Sequence, residues 1–184
     1  MRHCLALALC CSPHFAAAVE PAPAVVPFAA SGTVQYALSP DDRADDMIIT
    51  AIDRARRQVL VQAYSVTHKR IAAALAGARR RGVEVAVLAD REQSRNESSA
   101  LKDMKHAGVP LLIDAQHAAA HNKIMIIDNG EADCAVVTGS FNFTYAAQHR
   151  NAENAFILRG NPPLCEAFHR NWLRHKAHSL PPLR

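Results

Sequence analysis

Between residues 33 and 113, four short apolar runs alternate with segments whose apolar side chains recur at helical spacing. Such a chain folds as strands linked by helices, with the strands gathered into a sheet that the helices cover. Residues 33–38 alternate and end at Ser39-Pro40, and Asp41 and Asp42 stand where they can cap a helix through Met47, Ile48, Ile52 and Ala55. Residues 58–64 form the second strand, and residues 68–80 a helix with Ile71, Leu75 and Ala78 on one face and Gly82 as its stop. A third strand over 83–88 and a polar helix over 98–106 lead to a strand at 109–113. The rhythm then changes. Residues 122–128 and 134–138 read as two strands joined through Asn129-Gly130, and residues 152–158 as another. A closing helix over 164–175 places Leu164, Phe168 and Trp172 on its inner side. The order predicts an α/β domain with a mixed β-sheet flanked by helices.

Residues 1–18 read as an export signal rather than as part of that domain. Arg2 and His3 make a basic start, residues 4–11 a compact apolar run, and Ala16-Ala17-Ala18 a small-residue cleavage site. The run falls short of the roughly 18 residues a membrane-spanning helix needs. Residues 19–32 read as a Pro/Ala-rich linker, and residues 33–184 as a single catalytic domain. The expectation is a secreted protein, in the bacterial periplasm, with no stable membrane insertion after cleavage. Loss of the signal removes Cys4, Cys10 and Cys11 and leaves Cys134 and Cys165, which can form one disulfide in an oxidising compartment. Their separation in sequence does not decide whether they meet. A hydrophobic fraction of 49% excludes disorder, and a net charge of +4 permits a polyanionic partner without requiring one.

The chemistry is concentrated between His121 and Glu153. On a strand, residues two apart share a face, so His121 and Lys123 project together. Ser140 and Asn142 stand in the same relation after the partner strand, and a hairpin brings the two pairs near each other. An imidazole, an ammonium, a hydroxyl and a carboxamide then converge. Displacement at a phosphodiester needs such a set: a nucleophile or proton carrier, and donors for the non-bridging oxygens. Glu153, opening a later strand, can hold one imidazole nitrogen and fix its tautomer.

His121-Asn-Lys123 with Asp128, followed by Gly139-Ser140-Phe-Asn142, resembles the HxKxxxxD…GSxxN signature of the phospholipase D superfamily. The blocks at 58–65, 71–75, 81–85, 120–128, 139–144 and 151–154 extend the resemblance across nearly all of the mature chain. The pattern is most similar to the short, single-motif bacterial branch typified by the EDTA-resistant endonuclease, with mitochondrial cardiolipin hydrolase as a relative. The resemblance implies His121 as the nucleophile that forms a phosphohistidine. It implies Lys123, Ser140 and Asn142 as phosphate ligands, Glu153 as the group orienting His121, and Asp128 with Gly139 as structural parts of the motif. It implies no metal and no cofactor. It implies nucleic acid as substrate, DNA first and RNA beside it. Because only one such motif is present, it also implies a homodimer that brings two copies of His121 face to face. The loop between Asp128 and Gly139 is longer than the family usually has, which leaves the register of the second strand open.

Other readings compete with this one. His117 and His121 are spaced for zinc on a helix, but the following segment reads as strand and no Glu adjoins His117. Ser140 with His121 and Glu153 suggests a hydrolase triad, but Gly-Ser-Phe-Asn is no nucleophile elbow. Arg79-Arg80-Arg81 reads first as a solvated helix end and second as a phosphate track. The same motif serves a phospholipase or phosphatidyl transferase on lipid headgroups, and a misplaced Ser140 and Asn142 would leave an inactive nucleic-acid-binding module.

Overall fold

The computed structural model describes residue 25 and residues 27–182. The expected leader, residues 1–18, lies outside the described residues, as does half of the linker. The elements run β1 (Thr33–Ser39), α1 (Ala44–Asp53), β2 (Gln58–Ala63), α2 (Lys69–Arg80), β3 (Glu84–Asp90), α3 (Arg91–Ser94), α4 (Leu101–His106), β4 (Leu111–Asp114), β5 (Lys123–Ile127), β6 (Ala135–Gly139), α5 (Tyr145–His149), β7 (Glu153–Arg159) and α6 (Pro162–His178). The strands form one mixed sheet in the order β1-β7-β6-β5-β2-β3-β4. Pairing is parallel for β2–β3 and β3–β4, where helices make the crossovers, and antiparallel for every other neighbour.

The alternation along each strand divides the apolar side chains between two layers. Val59, Val61 and Ala63 of β2 join Ile48 and Ile52 of α1, Ile71 and Leu75 of α2, and Met104 of α4 in the main core. Leu60 points the other way, with Leu88, Ile124 and Ile126, and is covered by Trp172 of α6. The Trp172 indole N–H donates to the Val61 carbonyl at 3.1 Å, so the ring's one polar atom is satisfied where it is buried. Among the described residues no helix is long and apolar enough to cross a membrane.

One local expectation needs correction, and one short helix was not foreseen. Neither Asp41 nor Asp42 caps α1: the N-cap position is Arg43, without a side-chain cap, and the Asp42 carboxylate instead accepts the Leu38 N–H at 2.9 Å. That carboxylate closes the turn after β1 and is not free for the helix. The single turn α3, capped by the Asp90 side chain through the Gln93 N–H, is too short to show periodicity in sequence. Thr144 caps α5, accepting from the Ala147 N–H at 3.1 Å.

The lengthened loop after Asp128 leaves the sheet register intact. Met125, Ile126 and Ile127 pair with Val137, Val136 and Ala135, and the additional residues lie in the turns before Cys134. Cys134 is disulfide-bonded to Cys165 in the first turn of α6, with Cα atoms 6.5 Å apart. The Gly160 N–H donates to the Cys134 carbonyl at 2.9 Å, so the loop's return is fixed on both sides. Beyond α6, Leu180 exchanges two backbone hydrogen bonds with Ile113 of β4, at 2.7 and 3.0 Å, and Pro181 and Pro182 follow.

Candidate active site

The sheet carries its polar chemistry on one rim. β2, β3 and β4 end there at Ala63, Asp90 and Asp114, β6 at Gly139, while β5 and β7 begin there at Lys123 and Glu153. The carboxyl ends of parallel strands are where open α/β sheets hold ligands, since the loops that follow are free of the ladder. His121 is exposed, two residues before β5. The segment leading to it is held by two backbone contacts: the Ala120 N–H donates to the buried Asp90 carboxylate at 2.9 Å, and the Asn122 carbonyl accepts the Tyr64 N–H at 2.8 Å.

Lys123 is only 7% exposed, an unusual setting for an ammonium. Its Nζ donates to the His121 carbonyl at 2.8 Å and lies 3.1 Å from the ring Nδ1. It also sits 4.9 Å from the centre of the Tyr64 ring, and that ring meets the His121 imidazole at 4.4 Å between centroids. Desolvation pushes the Lys123 pKa below its ordinary value, and the charge of Glu153 opposes that shift. Because an ammonium only donates, Nδ1 of His121 is the acceptor, and the neutral ring then holds its proton on Nε2.

Beyond β6, the Ser140 hydroxyl accepts the Asn154 N–H at 3.0 Å, and the Ser140 and Phe141 N–H groups both donate to the Asn154 carbonyl. Gly139 makes this approach possible. Its φ is +136°, and a Cβ there would stand 2.3 Å from the Asn154 carbonyl oxygen. The Asn142 Oδ1 is buried with no hydrogen-bond partner among the described residues.

One expected placement is not found, and one secondary reading fails. Glu153 makes no hydrogen bond to His121 among the described residues; its carboxylate accepts from the Asn151 side chain at 3.0 Å. The strand order gives the reason, because β6 lies between β7 and β5, and two strand spacings amount to about 9–10 Å. Arg79, Arg80 and Arg81 are exposed at the C-terminal end of α2, next to the start of β3 and so at the opposite rim from His121. They cannot track a phosphate chain into this site. Asp128 is also on that far rim: a strand the length of β5 separates it from Lys123, about 17 Å. Its buried carboxylate accepts the N–H groups of Arg56, Arg57 and Gln58 at 2.8–3.2 Å, clasping the end of β5 to the start of β2.

Sequence reasoning missed Tyr64 and Asp90, which shape the reacting pair without belonging to its motif. Tyr64 was visible only as the aromatic end of a strand, and Asp90 only as its acidic end. It also weighed His117 as a metal ligand only with His121, whereas the fold gathers it with His175 and His178 around Asp114. Burial works to raise the Asp114 carboxyl's pKa, but hydrogen bonds from His175 and His117 outweigh it and hold the group ionised.

This fold and this motif define a class. A family model described as "Cardiolipin synthase, PLD-like domain" matches residues 48–175. Phospholipase D of Rickettsia felis is 39% identical over 144 residues, which cover 78% of this chain and 70% of the relative. Mitochondrial cardiolipin hydrolase of Chlamydomonas reinhardtii is 28% identical over 62% of this chain and 49% of its own length. Among solved structures, the phospholipase D family member Nuc from Salmonella typhimurium superposes with a TM-score of 0.77 at 33% identity, over 83% of this chain and 99% of that one. NucT from Helicobacter pylori shares the fold, with a TM-score of 0.71 at 21% identity over 81% of this chain and 98% of that one. The chain belongs to the phospholipase D superfamily. It is a phosphodiester hydrolase.

Proposed function

We propose that the protein is an exported endonuclease that cleaves DNA, and RNA by the same chemistry, through a phosphohistidine on His121. The observation that carries this reading is the openness of the reacting rim. His121 is exposed rather than set in an apolar pocket, and Lys69, Arg91, Arg95 and Arg150 stand exposed on loops and helix ends of the same rim. An extended polyanion can lie across such a surface, and backbone phosphates supply the affinity without base readout. The Cys134–Cys165 disulfide supports an oxidising destination.

His121 Nε2 attacks phosphorus and the bond to the leaving oxygen breaks, with Lys123, Ser140 and Asn142 binding the non-bridging oxygens. A second imidazole protonates the leaving oxygen and then takes a proton from water, whose attack frees the phosphate monoester and restores His121. Nucleophilic Nε2 needs its lone pair, so the proton must move to Nδ1 and find an acceptor there. Within one protomer Nδ1 faces Lys123, and the Glu153 carboxylate accepts from Asn151 instead. A two-fold dimer supplies both missing parts: a second His121, and a Glu153 reaching across to the opposite imidazole.

A second reading is favoured by the Rickettsia relatives, which are named phospholipase D: the same set of side chains acting on a lipid headgroup. The experiment is plasmid degradation by the purified protein in EDTA, beside His121→Ala, with circular dichroism to show that both are folded. Degradation by the wild type with a loss of roughly a thousandfold or more in the variant is expected. Release of headgroup from phosphatidylcholine vesicles without DNA cleavage would move the assignment to the lipid. Inactivity on both would leave a binding module.

A further inference from the structure

The cluster around Asp114 is separate from the phosphate-binding motif, and nothing in the reaction above uses it. Three imidazoles converge on one carboxylate oxygen: His175 Nδ1 at 2.7 Å, His117 Nδ1 at 3.1 Å and His178 Nε2 at 3.2 Å from Asp114 Oδ2. The rings crowd one another, with centroids 4.9 to 5.3 Å apart. A carboxylate oxygen has about two lone pairs, too few for three donors. His178 Nε2 shows the excess: it is buried and, despite its distance, lies off the angle a hydrogen bond needs.

We propose that Asp114, His117, His175 and His178 form a binding site for a divalent transition-metal ion of the zinc class. Three imidazoles and one carboxylate make the donor number and type that zinc takes. The four ligand atoms already lie within 4.8 Å of one another. Ligands at about 2.0–2.2 Å from a tetrahedral ion stand about 3.3 Å apart, so a small outward shift of the rings opens the central position.

The surrounding backbone is built to hold these ligands together. His175 and His178 sit one turn apart on the last turn of α6, where residues three apart share a face. The Ser179 hydroxyl donates to the His175 carbonyl at 2.8 Å, and the paired bonds between Ile113 and Leu180 fix the end of α6 beside the end of β4. Side-chain exposures of 44% for His117 and 25% for His178 leave an entry path. The bound ion clamps the segment that leads to the nucleophile. His117 precedes His121 by one short stretch, whose other end is tied through Ala120 to Asp90, the register partner of Asp114. The ion touches no reacting atom, so its role is positioning.

The test uses the full chain purified without a polyhistidine tag, stripped with a chelator and dialysed. Zn²⁺ is titrated against a chromophoric chelator, and Co²⁺ is added separately as a spectroscopic probe. Expected are one equivalent of Zn²⁺, the visible d–d bands of tetrahedral Co²⁺, and a melting midpoint raised by about 5–10 °C at a hundredfold excess over Kd. His178→Gln and His175→Ala should each weaken binding by at least about tenfold, and the double variant should abolish the Co²⁺ spectrum. His121→Ala and His149→Ala should leave all three readouts unchanged. Absence of stoichiometric uptake overturns the proposal and leaves a hydrogen-bonded cluster. Uptake that survives the double variant also overturns it, placing the ion elsewhere, such as on the N-terminal cysteines.

Discussion

At Lys123 the chain keeps a cation where burial works against it, and function should register the tension. Desolvation lowers its pKa from the ordinary 10.5, and Glu153 only partly restores it. Below the lowered pKa the ammonium is present and can bind a phosphoryl oxygen; above it the charge is lost. The alkaline limb of kcat/KM, which reports the free enzyme, should therefore fall below pH 10.5. In Lys123→Arg that limb should move to higher pH, because a guanidinium does not titrate in this range, even though the planar group lowers the rate. The slope of stability with pH has the same sign as for a carboxylate whose folded pKa is lowered. Between the lowered pKa and 10.5 the unfolded chain binds more protons, so this group makes stability rise with pH there. An unchanged alkaline limb in Lys123→Arg would assign it to another residue. Asp128 offers the contrast, because its motif position suggests chemistry and its geometry gives a clasp. Asp128→Ala strands three backbone donors and should cost about 2–4 kcal/mol in urea unfolding. Its kcat should stay near wild type wherever the variant remains folded; a loss of kcat comparable to His121→Ala would contradict this role.

The elements show what a single sequence makes legible. Strands and helices could be read because side-chain alternation and helical spacing are local, and His121, Lys123, Ser140 and Asn142 because a hairpin joins neighbours in sequence. Strand order is not local. β6 lies between β7 and β5, and this order, invisible to periodicity, sets Glu153 two strands away from its own His121. The gathering of Asp114 with His175 and His178 depends on α6 returning along the far face of the sheet, again a matter of topology. The Cys134–Cys165 pairing belongs here too, since sequence left it open. It staples the end of the long loop to the start of α6 across 31 residues, and a closed loop of that size should contribute about 2–4 kcal/mol. Cys165→Ser should lower the denaturation midpoint accordingly, and a reducing agent should do the same to the wild type but not to the variant. No difference between oxidised and reduced protein would argue that the unfolded chain gains nothing from release of the bond.

For the whole molecule the question is how many copies make one working site. A protomer offers one imidazole beside one ammonium, with its Glu153 carboxylate bonded to Asn151 rather than to that imidazole. Light scattering should accordingly find a dimer at assay concentrations, and specific activity should fall on dilution as the dimer dissociates. A fully active monomer would require another histidine, such as His117 or His149, to carry the second proton transfer. Assembly of any kind must respect the two margins of the sheet, and these differ. Along β4 the tail takes up hydrogen-bonding capacity at Ile113 through Leu180, and the prolines after it have no N–H with which to extend the ladder. Along β1, Val34, Tyr36 and Leu38 remain exposed in alternation. Leu180 and its two prolines thus serve as a selvedge, a finished border that keeps a foreign strand from being woven onto β4 and leaves β1 as the more open side for pairing.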